Sequence, residues 1–325
     1  MATAWRRGRA PDSLEPTAID LAAPGPGRVR LMVEAVAIDP FAATPIGRVP
    51  GVAAVGTVTA VGVAADEWLG LRVLVPTVDA CGECDRCRRG STAVCGHGGR
   101  LGTTAPGALT THLTASARWL VRLDGALALP GAATAAIGGA LAHAYTLYAR
   151  ASVGPRDPVI VIGGGPLARL TLEVLLAKGA SPVAATDDAA TIAALGDRAR
   201  VCALHTAAIE EAIGAVGDRP RRILVIDSAQ LELGLRVAGP RGTVVVAAGA
   251  ATAIEPPLAI ALAEEVTIAG VVDGHPDLVP ELAALCARDE LSLASVVDVI
   301  AFDELPAQLA ARAQTRPATA LVVAM

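Results

Sequence analysis

The sequence predicts an α/β chain of two domains, one rich in β-strands and one built on a doubly wound parallel sheet. Three observations carry this expectation. In the first part of the chain, apolar residues fall in short runs punctuated by Pro and Gly. After about residue 140, strand-like runs alternate with helical ones. A length of 325 residues, 53% of them hydrophobic, is enough for two buried cores.

The elements follow in order. Arg28 to Ile38 alternates and then becomes apolar throughout, as a strand passing into a core does. Val55 to Val63 is β-branched with Gly at the bends, and Arg72 to Val75 is a short apolar run. From Gly125 to Ala149 there is no Asp, Glu, Lys or Arg, but the stretch is mostly Ala and Gly with Pro130 near its start. That composition suits a Gly-rich connection and a buried helix rather than a membrane span. Strands are then predicted at Val159–Ile162, Val183–Thr186, Ile223–Ile226 and Thr243–Ala247, with helices at Leu167–Lys178, Ala190–Leu195 and Leu231–Val237 between them. Leu278–Arg288 and Glu304–Arg312 read as helices, and Ala320–Val323 as a closing strand.

Composition excludes several classes. The chain has three Trp, two Tyr and two Phe and a net charge of −5. It lacks stacking surfaces for single-stranded nucleic acid and a basic cluster for phosphate backbones. Met1 to Leu21 mixes charge with Pro, with no apolar run of signal-peptide length. A cytoplasmic location is therefore expected.

Cys81, Cys84, Cys87 and Cys95 form C-x2-C-x2-C-x7-C, four of the six cysteines within fifteen positions. Four thiolates at this spacing can close a tetrahedron around one Zn2+ and fill every coordination position, so the site is read as structural. Ligand type alone also admits an iron–sulfur cluster. Cys202 and Cys286 lie in apolar surroundings and read as core residues.

Val159–Ile162 runs into Gly163-Gly164-Gly165-Pro166-Leu167-Ala168, a G-x-G-x-x-A turn between strand and helix. Gly163 allows the tight turn, Gly165 the approach of a pyrophosphate, and Ala168 close helix–strand packing, with Pro166 and Leu167 opening the helix beside the ligand. The free N–H groups and dipole of that helix end favour an anion. Asp187 follows the next strand, twenty-two residues after Gly165. A carboxylate there accepts ribose hydroxyls and repels the extra phosphate of NADP, so NAD is the expected cofactor.

A β-rich start, a four-cysteine loop and a dinucleotide-type βαβ domain together resemble the medium-chain dehydrogenase/reductase superfamily, specifically its zinc-containing alcohol dehydrogenase branch. Pro24-Gly25-Pro26-Gly27-Arg28-Val29 looks like that family's approach to its second strand, and Gly56-Thr57-Val58-Thr59-Ala60-Val61-Gly62 like its GxVxxVG strand. The cysteine loop matches the structural-zinc lobe, and Gly242-Thr243-Val244-Val245 the strand leading to the nicotinamide site. The resemblance implies a GroES-like β domain over about 1–139, with the zinc lobe at about 80–98, completed by 272–325. It implies a Rossmann NAD-binding domain over 140–271. It also places the backbone around Ala247 and Val271 to Asp273 at the nicotinamide carboxamide, and implies a small-molecule substrate and a homodimer or homotetramer.

The departures concern the catalytic zinc. Where the family has a cysteine ligand this chain has Asp39, where it has Gly-His-Glu the chain has Gly51-Val52-Ala53, and a further ligand position is Gly139. Phe41 stands where a hydroxyl relay begins. Three ligands for an open zinc are not supplied. The polar groups placed near the nicotinamide by the resemblance are Asp39, His143 and Thr44. His143 is the expected proton donor, since imidazole titrates near neutrality. Asp39, followed by Pro40, suits a helix N-cap as well as an acid/base role. The expected function is an NAD(H)-dependent, alcohol dehydrogenase-like oxidoreductase that moves hydride to or from a polarised C=C, C=N or carbonyl/alcohol without catalytic zinc. The alternative is a non-catalytic cofactor-binding or sensing protein of the same descent.

Overall fold

The structure, a computed structural model, describes residues 2–9, 13–38, 44–214, 219–247, 258–315 and 317–325. Two units divide the chain. The first comprises Met1–Ala142, Gly274–Thr315 and Ala320–Met325, the second His143–Asp273 and Arg316–Thr319.

The first unit opens with an antiparallel hairpin, β1 (Ala2–Arg7) and β2 (Leu14–Ile19). Then come β3 (Arg28–Ile38), β4 (Ala53–Val61), β5 (Arg72–Val75), β6 (Val78–Asp79), a one-turn helix α1 (Asp85–Arg88), β7 (Gly99–Arg100), β8 (His112–Ser116) and β9 (Val121–Arg122). Helix α2 (Ala140–Ala151) leads into the second unit. That unit holds β10 (Pro158–Ile162), α3 (Gly165–Ala177), β11 (Ser181–Ala185), α4 (Ala189–Leu195), β12 (Arg200–Cys202), α5 (Thr206–Gly214), β13 (Arg222–Val225), α6 (Leu231–Val237), β14 (Thr243–Ala247), α7 (Leu258–Ala263) and β15 (Thr267–Val271). The chain then returns to the first unit with α8 (Val279–Ala287), β16 (Val297–Ala301), α9 (Leu305–Thr315) and β17 (Ala320–Ala324).

β3 is the spine of the first unit's main sheet, ordered β16-β17-β3-β4-β5-β9. Its first half, Arg28–Met32, also pairs with β8, and its second half, Ala35–Ile38, pairs with β17. Burial alternates over the first half and is continuous from Ala35 onward. There the strand is covered by the 3-10 turns over Ala132–Gly138 as well as by its sheet neighbours. The change from alternating to unbroken apolar sequence is therefore a change from one covered face to two. The sequence reading placed the following strand at Val55–Val63, whereas β4 ends at Val61 and Val63 is exposed. Trp5 of the hairpin rests on Phe302, ring centroids 4.1 Å apart, which ties the N-terminus to the returning segment.

The second unit's sheet has six parallel strands in the order β12-β11-β10-β13-β14-β15. Renumbered from β10 this is 3-2-1-4-5-6, the doubly wound order, and it reverses between β10 and β13. α3 is buried along nearly its whole length, including Arg169 and Glu173. Glu173 accepts from Arg169 Nε at 3.2 Å and from both terminal nitrogens of Arg198 at 2.7 Å. Burial pushes its acidity toward the neutral form, but the hydrogen bonds and charges of Arg198 and then Arg169 outweigh this and lower its pKa. Glu173→Gln should cost about 3 kcal/mol, because it removes the buried carboxylate that pairs with both Arg169 and Arg198. A carboxylate whose folded pKa lies below the unfolded one contributes fully above the unfolded value and loses that contribution as pH falls through the folded one. Urea melts of both proteins at descending pH should therefore converge on acidification, and a gap that persists at the acid end would contradict this assignment.

The chain's single lysine, Lys178, follows α3 and lies over the rings of both tyrosines, 5.2 Å from Tyr145 and 5.8 Å from Tyr148. Among the described residues no helix is long and apolar enough to cross a membrane.

Candidate functional site

The four cysteines converge. Their Sγ atoms all lie within 4.8 Å of one another. The separations are 3.5 Å for Cys81–Cys95, 3.6 Å for Cys84–Cys87, and 3.9 Å for Cys81–Cys87 and Cys84–Cys95. A tetrahedron with metal–sulfur bonds of about 2.3 Å has edges of about 3.8 Å. The set fits one ion and is too open for disulfides, which need about 2.05 Å. The two-strand ladder of β6 and β7 brackets the loop, α1 carries Cys87, and a 3-10 turn over Thr92–Val94 presents Cys95. Trp119 packs against this cluster and donates its indole N–H to Ala80 O at 2.6 Å. Backbone N–H groups already point at sulfur, from Cys81 to Cys95 and from Cys84 to Cys81, each at 3.4 Å. The N–H of Cys87 lowers the Cys84 thiol to about 6, while burial pushes Cys87 up to about 12. Burial also raises Cys286 to about 12, which suits an inert core thiol.

At the head of the parallel sheet, β10 gives way to the glycine turn and α3. Gly163 has φ +120° and Gly165 φ +81°, both in the region that favours glycine. A Cβ on Gly163 would lie 3.2 Å from Ile226 Cβ, at the end of neighbouring β13. Pro166 occupies the first turn of α3, and Leu167 and Ala168 are buried beneath it. Asp187 follows β11, is exposed, and accepts the Leu204 N–H at 3.1 Å.

Sequence reasoning passed over the next residue. Asp188 is the N-cap of α4, accepting from Thr191 N at 2.8 Å and Thr191 Oγ1 at 2.5 Å, and its Oδ2 also stands 3.3 Å from Gly165 N. Thr191 Oγ1 lies 3.1 Å from the same N–H. Gly164, the unspecified position of the motif, is glycine for this reason: a Cβ there would sit 2.3 Å from Asp188 Cβ. The available signal was D-x-x-T before an apolar run, a capping pattern.

The remaining positions divide between the units. His143 is buried in α2. Ala247 and Val271 are buried register partners at the ends of β14 and β15, and Asp273 lies two residues further on, half-buried. In the first unit, Val52 and Ala53 are buried, and a Cβ on Gly139 would lie 3.1 Å from Val52 Cγ2. Thr44 is buried and its carbonyl accepts from Arg7 at 2.5 Å. Asp39, Pro40 and Phe41 lie outside the described residues.

Residues 25–125 match the alcohol dehydrogenase GroES-like domain. Over 112 residues the chain is 30% identical to 2-dehydro-3-deoxy-L-galactonate 5-dehydrogenase of Pseudoalteromonas atlantica, an alignment covering 34% of this chain and 32% of that protein. The match thus spans about a third of the curated relative's length. The whole fold is similar to that of a short chain alcohol dehydrogenase of Escherichia coli solved with NADH. There the TM-score is 0.87 at 17% identity, covering 100% of this chain and 99% of that one. It is also similar to 2R,3R-butanediol dehydrogenase of Bacillus subtilis, with a TM-score of 0.85, 19% identity and complete coverage of both. A GroES-like domain over residues 25–125 together with a doubly wound parallel sheet is the fold that this chain shares with these solved dehydrogenases. Over 120 residues the chain is also 31% identical to an uncharacterized zinc-type alcohol dehydrogenase-like protein of Escherichia coli, covering 36% of this chain and 33% of that protein.

Proposed function

We propose that this chain is an NAD(H)-dependent, alcohol dehydrogenase-like oxidoreductase acting on a small organic substrate, and that it works without a catalytic zinc. The observation that carries the reading is the glycine turn at the head of a 3-2-1-4-5-6 parallel sheet with Asp187 one strand over. The named relatives, one solved with NADH and one acting as a butanediol dehydrogenase, support the reaction class. Gly163, Gly165, Pro166 and Leu167 form the pyrophosphate side of the site and Asp187 the ribose side. Ala247, Val271 and Asp273 line the nicotinamide end. Bound there, the nicotinamide supplies or accepts hydride at C4. The chain's own part is to hold the substrate and manage its proton. His143 is assigned as the donor or substrate hydrogen-bonder, with Asp39 the second candidate acid/base residue.

Independence from a catalytic zinc is supported by residue type. Val52, Ala53 and Gly139, where the resemblance puts ligands, carry no ligating atom, and Val52 packs toward Gly139. The same observation favours the second reading, a cofactor-binding or sensing protein without turnover. We assign the cysteine lobe one structural Zn2+, held by Cys81, Cys84, Cys87 and Cys95. The GroES-like domain is assigned to about 1–139 and 272–325 and the Rossmann domain to 140–271. A homodimer or homotetramer is supported by β15 at a sheet edge with Ile268 exposed, and by exposed Leu258 and Leu262 on α7. A cytoplasmic setting suits six unpaired cysteines.

The test is loss of NADH absorbance against a panel of ketones, enals and iminium ions. Turnover on one of them supports the enzyme, whereas cofactor binding with none favours the sensor. NADH should bind more tightly than NADPH. Asp187→Ser should narrow that gap by about tenfold, by removing a negative charge from the 2′-phosphate position. Equal affinities in the unaltered protein would overturn the NAD assignment.

A further inference from the structure

We infer that Asp188 is a second, affinity-setting carboxylate of the dinucleotide site, one that acts on the pyrophosphate whereas Asp187 acts on the ribose. This rests on the reading of the glycine turn given above. The head of α3 is a poorer anion site than its motif suggests. Of its leading N–H groups, that of Gly165 already faces Asp188 Oδ2 at 3.3 Å and Thr191 Oγ1 at 3.1 Å, and Pro166 has none.

The carboxylate is fixed in place. Asp188 caps α4 through Thr191, which is fully buried, and its own N–H donates to buried Thr186 Oγ1 at 3.1 Å. Leaving the glycine turn would mean giving up the cap. Gly164 closes the arrangement from the other side, since any side chain there would displace Asp188. Asp187 has a different environment, exposed and bonded to Leu204 N beyond β12.

A pyrophosphate arriving at α3 therefore meets a like charge already seated on one of its donors. NAD and NADP carry the same pyrophosphate, so Asp188 weakens both equally. Asp187 alone sets the choice between them. The arrangement keeps dinucleotide affinity low at no cost to selectivity.

The experiment measures affinities of the full chain and of Asp188→Asn and Asp188→Ser for NADH, NADPH, ADP and adenosine. Both replacements keep an oxygen that can cap α4. Each should bind NADH, NADPH and ADP about tenfold more tightly, with an unchanged NADH-to-NADPH ratio, unchanged adenosine affinity, and a gain that shrinks in high salt. A merely structural role for Asp188 would weaken binding and leave the salt dependence alone. If the unaltered chain binds NADH and neither variant binds it more tightly, this inference fails and the dinucleotide reading stands. If none of the three proteins binds any dinucleotide or ADP, both fail.

Discussion

Replacing Cys95 by alanine should strip the metal from the cysteine lobe and unfold residues of about 80–98 while the rest of the chain stays folded. The expected content is one zinc per chain in the unaltered protein and none in Cys95→Ala. The reason lies in how little else holds the lobe. Its own apolar cluster comprises Val78, Ala80 and Cys87, joined by three partly buried cysteines and Trp119. Its regular structure is a two-residue ladder and one turn of helix. On the zinc assignment proposed above, a segment so short on apolar burial would take its folding energy from the ion, on the order of 10 kcal/mol for structural zinc in small domains. Chelation should reproduce the effect, and Cys202→Ala should leave the zinc in place. Two zincs per chain in the unaltered protein, or zinc retained by Cys95→Ala, would remove the assignment. Trp119, packed on the cluster, offers a fluorescence readout of lobe opening.

How much of this was legible in the sequence depends on how local the determining physics is. The cysteine spacing and the glycine turn are short-range patterns, and the structure brings each set together. Four of the six parallel strands, β10, β11, β13 and β14, are apolar runs that stood out as well, whereas β12 and β15, which open on Arg200 and Thr267, did not. The hairpin of β1 and β2 did not, because Ala2–Arg7 and Leu14–Ile19 are charged, contain Pro16 and pair chiefly with each other. Nor did β16, where Asp298 interrupts the run and the parallel partner β17 lies beyond α9. Asp188 was missed for another reason. It adjoins Asp187 and is chemically identical, and only the start of α4 at Ala189 gives the two carboxylates different partners. Sequence spacing locates an acidic pair but does not divide its labour.

His143→Ala should lower turnover on the true substrate by about a hundredfold or more, leaving NADH affinity and zinc content unchanged. Delivery of hydride to a carbonyl or a conjugated C=C leaves an anion, which must be neutralised by a proton or a hydrogen bond as it forms. A zinc-bound site would meet that need with a Lewis acid. On the zinc-independent reading proposed above, with no ligating atom at Val52, Ala53 or Gly139, the need falls on a side chain. An ordinary aspartate is ionised at pH 7 and has no proton to give. Imidazole changes charge near neutrality, and His143 is buried in α2, where a proton lost to substrate is not replaced at once by bulk water. A positioned general acid contributes roughly 100-fold to 10,000-fold. His143→Gln keeps a hydrogen-bond donor but cannot titrate. It should recover part of the rate but not all of it. If His143→Ala turns over at the full rate with an unchanged pH profile, solvent or another group gives the proton and the assignment fails.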